Sequence, residues 1–183
     1  MRILGIDPGS QATGYGVVER DGSRLRHVAH GTLRPRGASA EQRLARLYEA
    51  VLEVARQHAP DAAAVERVFV AHSPRSALVL GQARGAVLAA LGSLGLGVTE
   101  YAAAEIKNSV AGSGRADKRQ VAHMVRRLLA LDRPVESEHA ADALAAAIGH
   151  AQAGALRALG ARSRGPCRRA GLAVARRRAG RRP

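Results

Sequence analysis

Tryptophan is absent, phenylalanine occurs once and tyrosine three times, so aromatic residues make up only 2% of the 183-residue chain. Any core must therefore be assembled from Ala, Leu and Val. The single cysteine, Cys167, excludes an intrachain disulfide, and no Cys/His cluster has the spacing of a zinc site. The N-terminal apolar run Ile3-Leu4-Gly5-Ile6 stops at Asp7, too short for a signal peptide. No apolar stretch reads as long enough to span a membrane, so a soluble, cytosolic protein with no membrane partner is expected. Acids are scarce too: 15 Asp+Glu face 29 Lys+Arg, a formal charge of +14. Nine of the cationic residues are arginines between Arg162 and Pro183, where no acid occurs. A basic body with a more basic tail points to a polyanion, most often nucleic acid. The bland alternative is a solvated, arginine-rich surface.

What is present is a globular composition, 46% apolar, which excludes wholesale disorder. Arg2 to Asp7 reads as a buried strand ended by Pro8-Gly9. Thr13 to Arg20 and Arg24 to Arg34 read as two more strands, joined by a hairpin turn at Asp21-Gly22. Leu44, Leu47, Tyr48, Val51, Leu52 and Ala55 recur at helical spacing between Ser39, a favoured N-cap residue type, and Pro60. Asp61 to Val70 reads as a fourth strand and Ser73 to Leu91 as a second long helix. Gly97 to Tyr101 makes a fifth strand, with helices at Ala103–Val110, Lys118–Ala130 and Ser137–Leu159. This order predicts an α/β protein with a mixed five-stranded sheet, an antiparallel meander followed by crossover units, flanked by helices. Residues 1–160 are expected to form one domain, and 161–183 a basic, disordered extension that adds salt-sensitive affinity for phosphates.

Three places hold candidate chemistry. Asp7 ends a strand expected to be buried on both faces, where a carboxylate is costly unless paired or bound to metal. A turn-capping Asp is the bland alternative. Glu66 follows the apolar run Ala62 to Val65, and pairing of its strand with the first would bring the two acids together. His139 and Asp142 lie i, i+3 on one face of a helix that is otherwise nearly all Ala, Leu and Ile. Glu138 and Glu136 are accounted for by the helix macrodipole, Asp142 less so. Hard oxygen ligands with one imidazole suit Mg²⁺ or Mn²⁺. Two such ions about 4 Å apart support phosphodiester hydrolysis, so the residues outline a nuclease.

The stretch Gly5-Ile6-Asp7-Pro8-Gly9-Ser10 with Thr13-Gly14-Tyr15-Gly16 strongly resembles the opening of RuvC-type Holliday-junction resolvases. The likeness continues through Glu66-Arg67-Val68-Phe69, Leu80-Gly81-Gln82-Ala83-Arg84-Gly85, Glu100-Tyr101-Ala102-Ala103, Lys107, Gly112 to Lys118, and His139-Ala140-Ala141-Asp142-Ala143. It covers about residues 1–155 and leaves the tail outside. The resemblance implies an RNase H-like fold, a homodimer, and symmetric nicking of four-way DNA junctions in recombination and repair. It implies 5′-phosphate and 3′-hydroxyl products and Mg²⁺, two ions per subunit, with Mn²⁺ as a substitute. Docking to a branch-migration complex (RuvA-RuvB) is implied as well. Carried over, the catalytic and metal-holding set is Asp7, Glu66, His139 and Asp142. Many members have Asp where His139 stands and some have His, which leaves its role open between metal ligand and proton donor to the leaving 3′-oxygen. Glu138 is the weaker candidate for a fourth ligand. Lys107 and Lys118, the only two lysines in the chain, fall where the family places basic DNA contacts. Phe69 reads either as core or, by the resemblance, as a residue that stacks on an unpaired base. Arg75 and Arg84 fit DNA or solvent equally, and the family's dimer contact suggests that part of the helix bearing Ala77, Leu78, Leu80, Val87 and Leu88 meets a partner.

Other classes fit less of the chain. Actin-like ATPases and sugar kinases share an Asp-x-Gly with a Thr-Gly beyond it, but need two domains and a second phosphate loop. The run Gly112 to Lys118 is no phosphate loop, since Asp117 stands where a Gly is required and Arg119 where Ser or Thr should hold Mg²⁺. A noncatalytic DNA-binding protein would leave the Asp7/Glu66 pair unexplained.

Overall fold

The computed structural model describes residues 1–9, 11–67 and 73–163 of the chain, with side chains to Gly154. Its sheet has the order β3-β2-β1-β4-β5, built from β1 (Arg2–Asp7), β2 (Thr13–Asp21), β3 (Arg24–Leu33), β4 (Ala62–Arg67) and β5 (Val98–Ala102). The first three strands form the antiparallel meander, and β4 and β5 join in parallel through helical crossovers. The mixed five-stranded sheet anticipated from the sequence is therefore present. The helices are α1 (Ala40–His58), α2 (Pro74–Ser93), α3 (Ala103–Ala111), α4 (Lys118–Leu128) and α5 (Glu138–Ser163). α5 runs past the residue-160 boundary anticipated for the domain. Phe69, Cys167 and most of the expected tail lie outside the described residues.

Local signals explain where the elements begin and end. Ser39 caps α1 by accepting from the Gln42 backbone N–H, and Ala59 ends it in the left-handed region just before Pro60. Ser73 caps α2 with Pro74 in its first turn. Gly112, at φ 74°, ends α3. Asp117 caps α4 in a reciprocal capping box with Gln120. The Gly-rich run between α3 and α4 is thus one helix stop followed by one helix start. The hairpin loop is Gly22-Ser23, one residue later than anticipated, because Gly22 supplies the φ of 58° and Asp21 stays paired with Arg24.

The core lies on both faces of the sheet, and alternate strand residues divide it. Leu4, Ile6, Val17, Ala63 and Val65 face α1 and α2, meeting Leu47, Val51, Val87 and Leu91. Ile3, Val18 and Ala64 face the other way, against Ile106, Val121, Val125, Leu144 and Ile148 of α3, α4 and α5. Each fully buried Val, Leu or Ile contributes about 1.5–3 kcal/mol.

α2 requires a correction. By length and composition it is apolar enough to cross a membrane, with a mean hydropathy of 1.2 over an 18-residue window. Its Ala83, Val87, Ala90 and Leu91 are buried against the sheet and α1. Its middle carries Arg84, whose Nε donates to Oε1 of Glu100 on β5 at 2.9 Å and whose Nη2 donates to the same oxygen. That bond ties α2 to β5 and removes Arg84 from the free cations. Arg75 is exposed, and Leu78 (65%) and Val79 (37%) leave an apolar surface on the N-terminal half of the helix.

α5 crosses β1 and β2 at backbone distance. A Cβ on Gly14 would stand 1.9 Å from the His139 carbonyl oxygen, and one on Gly5 would stand 1.9 Å from that of Ala143. Neither obstacle is a flexible side chain, so relief requires moving the helix. Gly14→Ala is expected to cost at least about 3 kcal/mol in denaturant unfolding. Gly22→Ala, with nothing within 4 Å of the new methyl but a φ of 58°, should cost about 1 kcal/mol. Equal costs would contradict this account of the α5 contact.

Candidate active site

The sheet register builds the site before any side chain is considered. Gly14 on β2 lies opposite Asp7 on β1, and Ile6 lies opposite Val65. Asp7 and Glu66 therefore end adjacent parallel strands. Both share the face of the sheet that α5 covers, because Gly5 and Ala64, two residues earlier, already point there. The two glycine contacts bring the first turns of α5 down onto this corner, and with them His139 and Asp142.

Nδ1 of His139 lies 2.7 Å from Oδ2 of Asp7, whose side chain is 15% exposed against 45% for His139. A carboxylate accepts, so Nδ1 is the donor in this bond. Burial pushes the Glu66 carboxyl up to about 7, and the nearby Asp7 and Asp142 carboxylates add to the effect. Burial likewise raises Asp142 to about 6, with Asp7 the next contributor. Lys107 and Lys118 partly offset the shift at Glu66. A cavity of about 240 Å³ lies between Glu66, Asp142, Lys107 and Lys118, walled also by Ile106 and Val121. Three carboxyls, one imidazole and two lysines thus share one corner of the sheet.

Glu138 goes elsewhere. Its Oε2 lies 2.9 Å from Nζ of Lys118, and both side chains are exposed. The hydrogen bond to Glu138 is the largest cause of a raised Lys118 pKa. Such an exposed pair is worth little to stability, but it holds Lys118 at the rim of the cavity.

Among the described residues, no three His, Cys, Asp or Glu side chains close on one point as a finished metal cage. The donor chemistry nevertheless fits a hard divalent cation. Glu66 and Asp142 resist ionisation because they are buried beside another carboxylate, and a cation between them relieves that repulsion. Asp7 meanwhile holds an imidazole N–H. Filling the site means sharing Asp7 between His139 and the cation.

Sequence reasoning missed two contacts. The Arg84–Glu100 bond joins residues 16 apart, and nothing local signals it. The bond between Thr32 and Ser137 spans 105 residues, and its place beside the site follows only from strand register.

The fold and site have relatives. Residues 3–150 match the family model described as crossover junction endodeoxyribonuclease RuvC. A protein of that name from Cupriavidus metallidurans is 54% identical over 156 residues, covering 84% of this chain and 85% of its own. Another, from Acinetobacter baumannii strain AYE, is 52% identical over 173 residues, covering 91% and 95%. Among solved structures, Thermus thermophilus RuvC in complex with Holliday junction substrate superposes with a TM-score of 0.81 at 36% identity, covering 86% of this chain and 96% of that one. The fold is accordingly RNase H-like, as anticipated.

The raised carboxyls make stability depend on pH. A group easier to keep protonated in the folded chain than in the unfolded one imposes no penalty below its unfolded pKa. The penalty grows as pH rises from about 4.5 to about 7 for Glu66 and is complete above that. Metal-free protein should therefore lose thermal stability between pH 5 and 8, and Glu66→Gln should lose less. Parallel Tm-against-pH curves in chelator would contradict the burial assigned to Glu66.

Proposed function

The chain belongs to the crossover junction endodeoxyribonuclease RuvC family, and from that membership we infer that its site cuts four-way DNA. It is an endodeoxyribonuclease that resolves Holliday junctions, in a family of metal-dependent nucleases. The observation that carries the reading to this site is the meeting of Asp7, Glu66, Asp142 and His139 beside both lysines of the chain.

Asp7, Glu66 and Asp142 would hold the metal, which we propose is Mg²⁺ with two ions per subunit and Mn²⁺ as a substitute. A divalent cation bound there supplies Lewis-acid polarisation of a phosphoryl oxygen and lowers the pKa of a water. The protein's own groups do the rest. Lys107 and Lys118 are compact point charges that draw the scissile phosphate into the cavity, Lys118 after exchanging Glu138 for phosphate. Asp7 orients the His139 ring through Nδ1, and His139 would complete the cation's ligand set rather than donate a proton. Ile106 and Val121 form the apolar wall beside the carboxyls.

The reading extends beyond the single site. A homodimer through the exposed N-terminal half of α2, where Leu78 and Val79 stand in water, would present two sites related by a twofold axis to strands of opposite polarity. Phe69 stacks on an unpaired base at the junction centre. The arginines beyond residue 160 add salt-sensitive affinity for phosphates. Docking to a branch-migration complex and a cytoplasmic location belong to the same proposal.

A synthetic mobile junction, incubated with Mg²⁺ or Mn²⁺ and resolved on a denaturing gel, tests this. Wild type should give paired symmetric nicks. Asp7→Asn should bind the junction normally and cut at least about a hundredfold more slowly. His139→Asp should lower the Mn²⁺/Mg²⁺ rate ratio about fivefold, since a carboxylate replaces a nitrogen donor. Uncut junction with wild type under either metal would overturn the reading. An unchanged ratio would remove His139 from the ligand set.

A further inference from the structure

One row across the sheet carries more than the acids. Thr32 on β3 lies opposite Gly14 on β2, and Gly14 lies opposite Asp7 on β1. α5 crosses this row above Gly14. Ser137, immediately before the helix, reaches back to Thr32, whose Oγ1 donates to Ser137 Oγ at 2.7 Å. The same Ser137 Oγ accepts from the Ala140 backbone N–H at 3.4 Å, and its carbonyl accepts from Ala141 at 3.0 Å. Ser137 is therefore the N-cap of α5, and Thr32 fixes where that cap sits on the sheet.

Two side-chain bonds hold the first turn of α5 to the sheet, one on each side of Gly14. His139–Asp7 is one and Ser137–Thr32 the other. They differ in what the reaction does to them. Asp7 is proposed above as a metal-holding residue, so its bond to His139 has to be shared when the site fills. Among the described residues, no side-chain hydrogen bond joins Thr32 or Ser137 to Asp7, Glu66, Asp142 or His139, so the exchange at Asp7 does not require their bond to break. His139 and Asp142 follow Ser137 by two and five residues, so rotation or fraying at the cap moves both.

We propose that the Thr32–Ser137 hydrogen bond is a positioning latch that keeps His139 and Asp142 aimed at the metal site while Asp7 changes partner. Thr32 and Ser137 are positioning residues, reaching substrate and cation only through the helix they anchor. The inference rests on the reading of this site given above.

Thr32→Val removes the hydroxyl, and Thr32→Ser keeps it while removing the methyl. In Thr32→Val the Mn²⁺ concentration for half-maximal single-turnover cleavage should rise about tenfold. Mn²⁺ affinity measured calorimetrically without DNA should fall by the same factor. Junction affinity in chelator and Tm should stay within twofold and about 2 °C of wild type, and Thr32→Ser should restore both Mn²⁺ readouts. Amide exchange of Ala140 and Ala141 should quicken about tenfold in Thr32→Val alone. Ser137→Ala breaks the bond from its other end and, if Thr32→Val folds poorly, should repeat both Mn²⁺ losses, with an added fall in Tm because it also removes the helix cap. Wild-type Mn²⁺ affinity in Thr32→Val, or a Thr32→Ser as defective as Thr32→Val, would overturn the latch. Absence of cleavage by wild type would overturn the nuclease reading instead, and calorimetry and amide exchange would still decide on the latch.

Discussion

The approach of the α5 backbone to the backbones of β1 and β2 is the constraint from which the rest of the structure follows. At Gly14 and Gly5 the space a methyl group would occupy already belongs to carbonyl oxygens of the helix. At that distance the side chains between helix and sheet have to be small. α5 accordingly buries Ala140, Ala143, Ala145, Ala146 and Ala147, while its larger Leu144 packs over a third glycine, Gly16. The scarcity of aromatic residues belongs to the same design, since a ring at this interface would lift the helix away. With the helix lifted, His139 would leave Asp7 and Asp142 would leave the corner it shares with Glu66.

That closeness sets the electrostatics. Glu66 and Asp142 are pushed up in pKa by burial first and by neighbouring carboxylates second. The fold holds three acids where none is comfortable alone. Two lysines at the rim soften the conflict, one of them resting on Glu138. Such a site takes up protons readily, a divalent cation would relieve the same repulsion, and it is built on strand ends and a helix rather than on a loop.

Much of this was legible in the residues. Asp7 and Glu66 each close a short apolar run, and a carboxylate in that position is expensive enough to need a reason. Asp142 among alanines signalled a helix able to lie close to a sheet. Capping residues placed the helix starts within a residue or two, because caps are local chemistry. Contacts that depend on register were not legible. Thr32 meets Ser137 only because β3 pairs with β2 in one register, past an irregularity at Val17/Val18. Arg84 looked free because its partner, Glu100, sits on a strand one crossover later. α2 was misjudged for a different reason: it is apolar on its exposed side as well as its buried one, so its length and composition match a membrane span.

The central claim is that Asp7, Glu66 and Asp142 together hold the cation that the reaction requires. Anomalous diffraction at the manganese edge from crystals soaked in Mn²⁺ tests it directly. The account predicts a peak within bonding distance of Asp7 and of at least one of Glu66 and Asp142, with the His139 ring shifted relative to Asp7. A soaked crystal with no peak in this corner, or with manganese held by Glu138 at the rim, would contradict it.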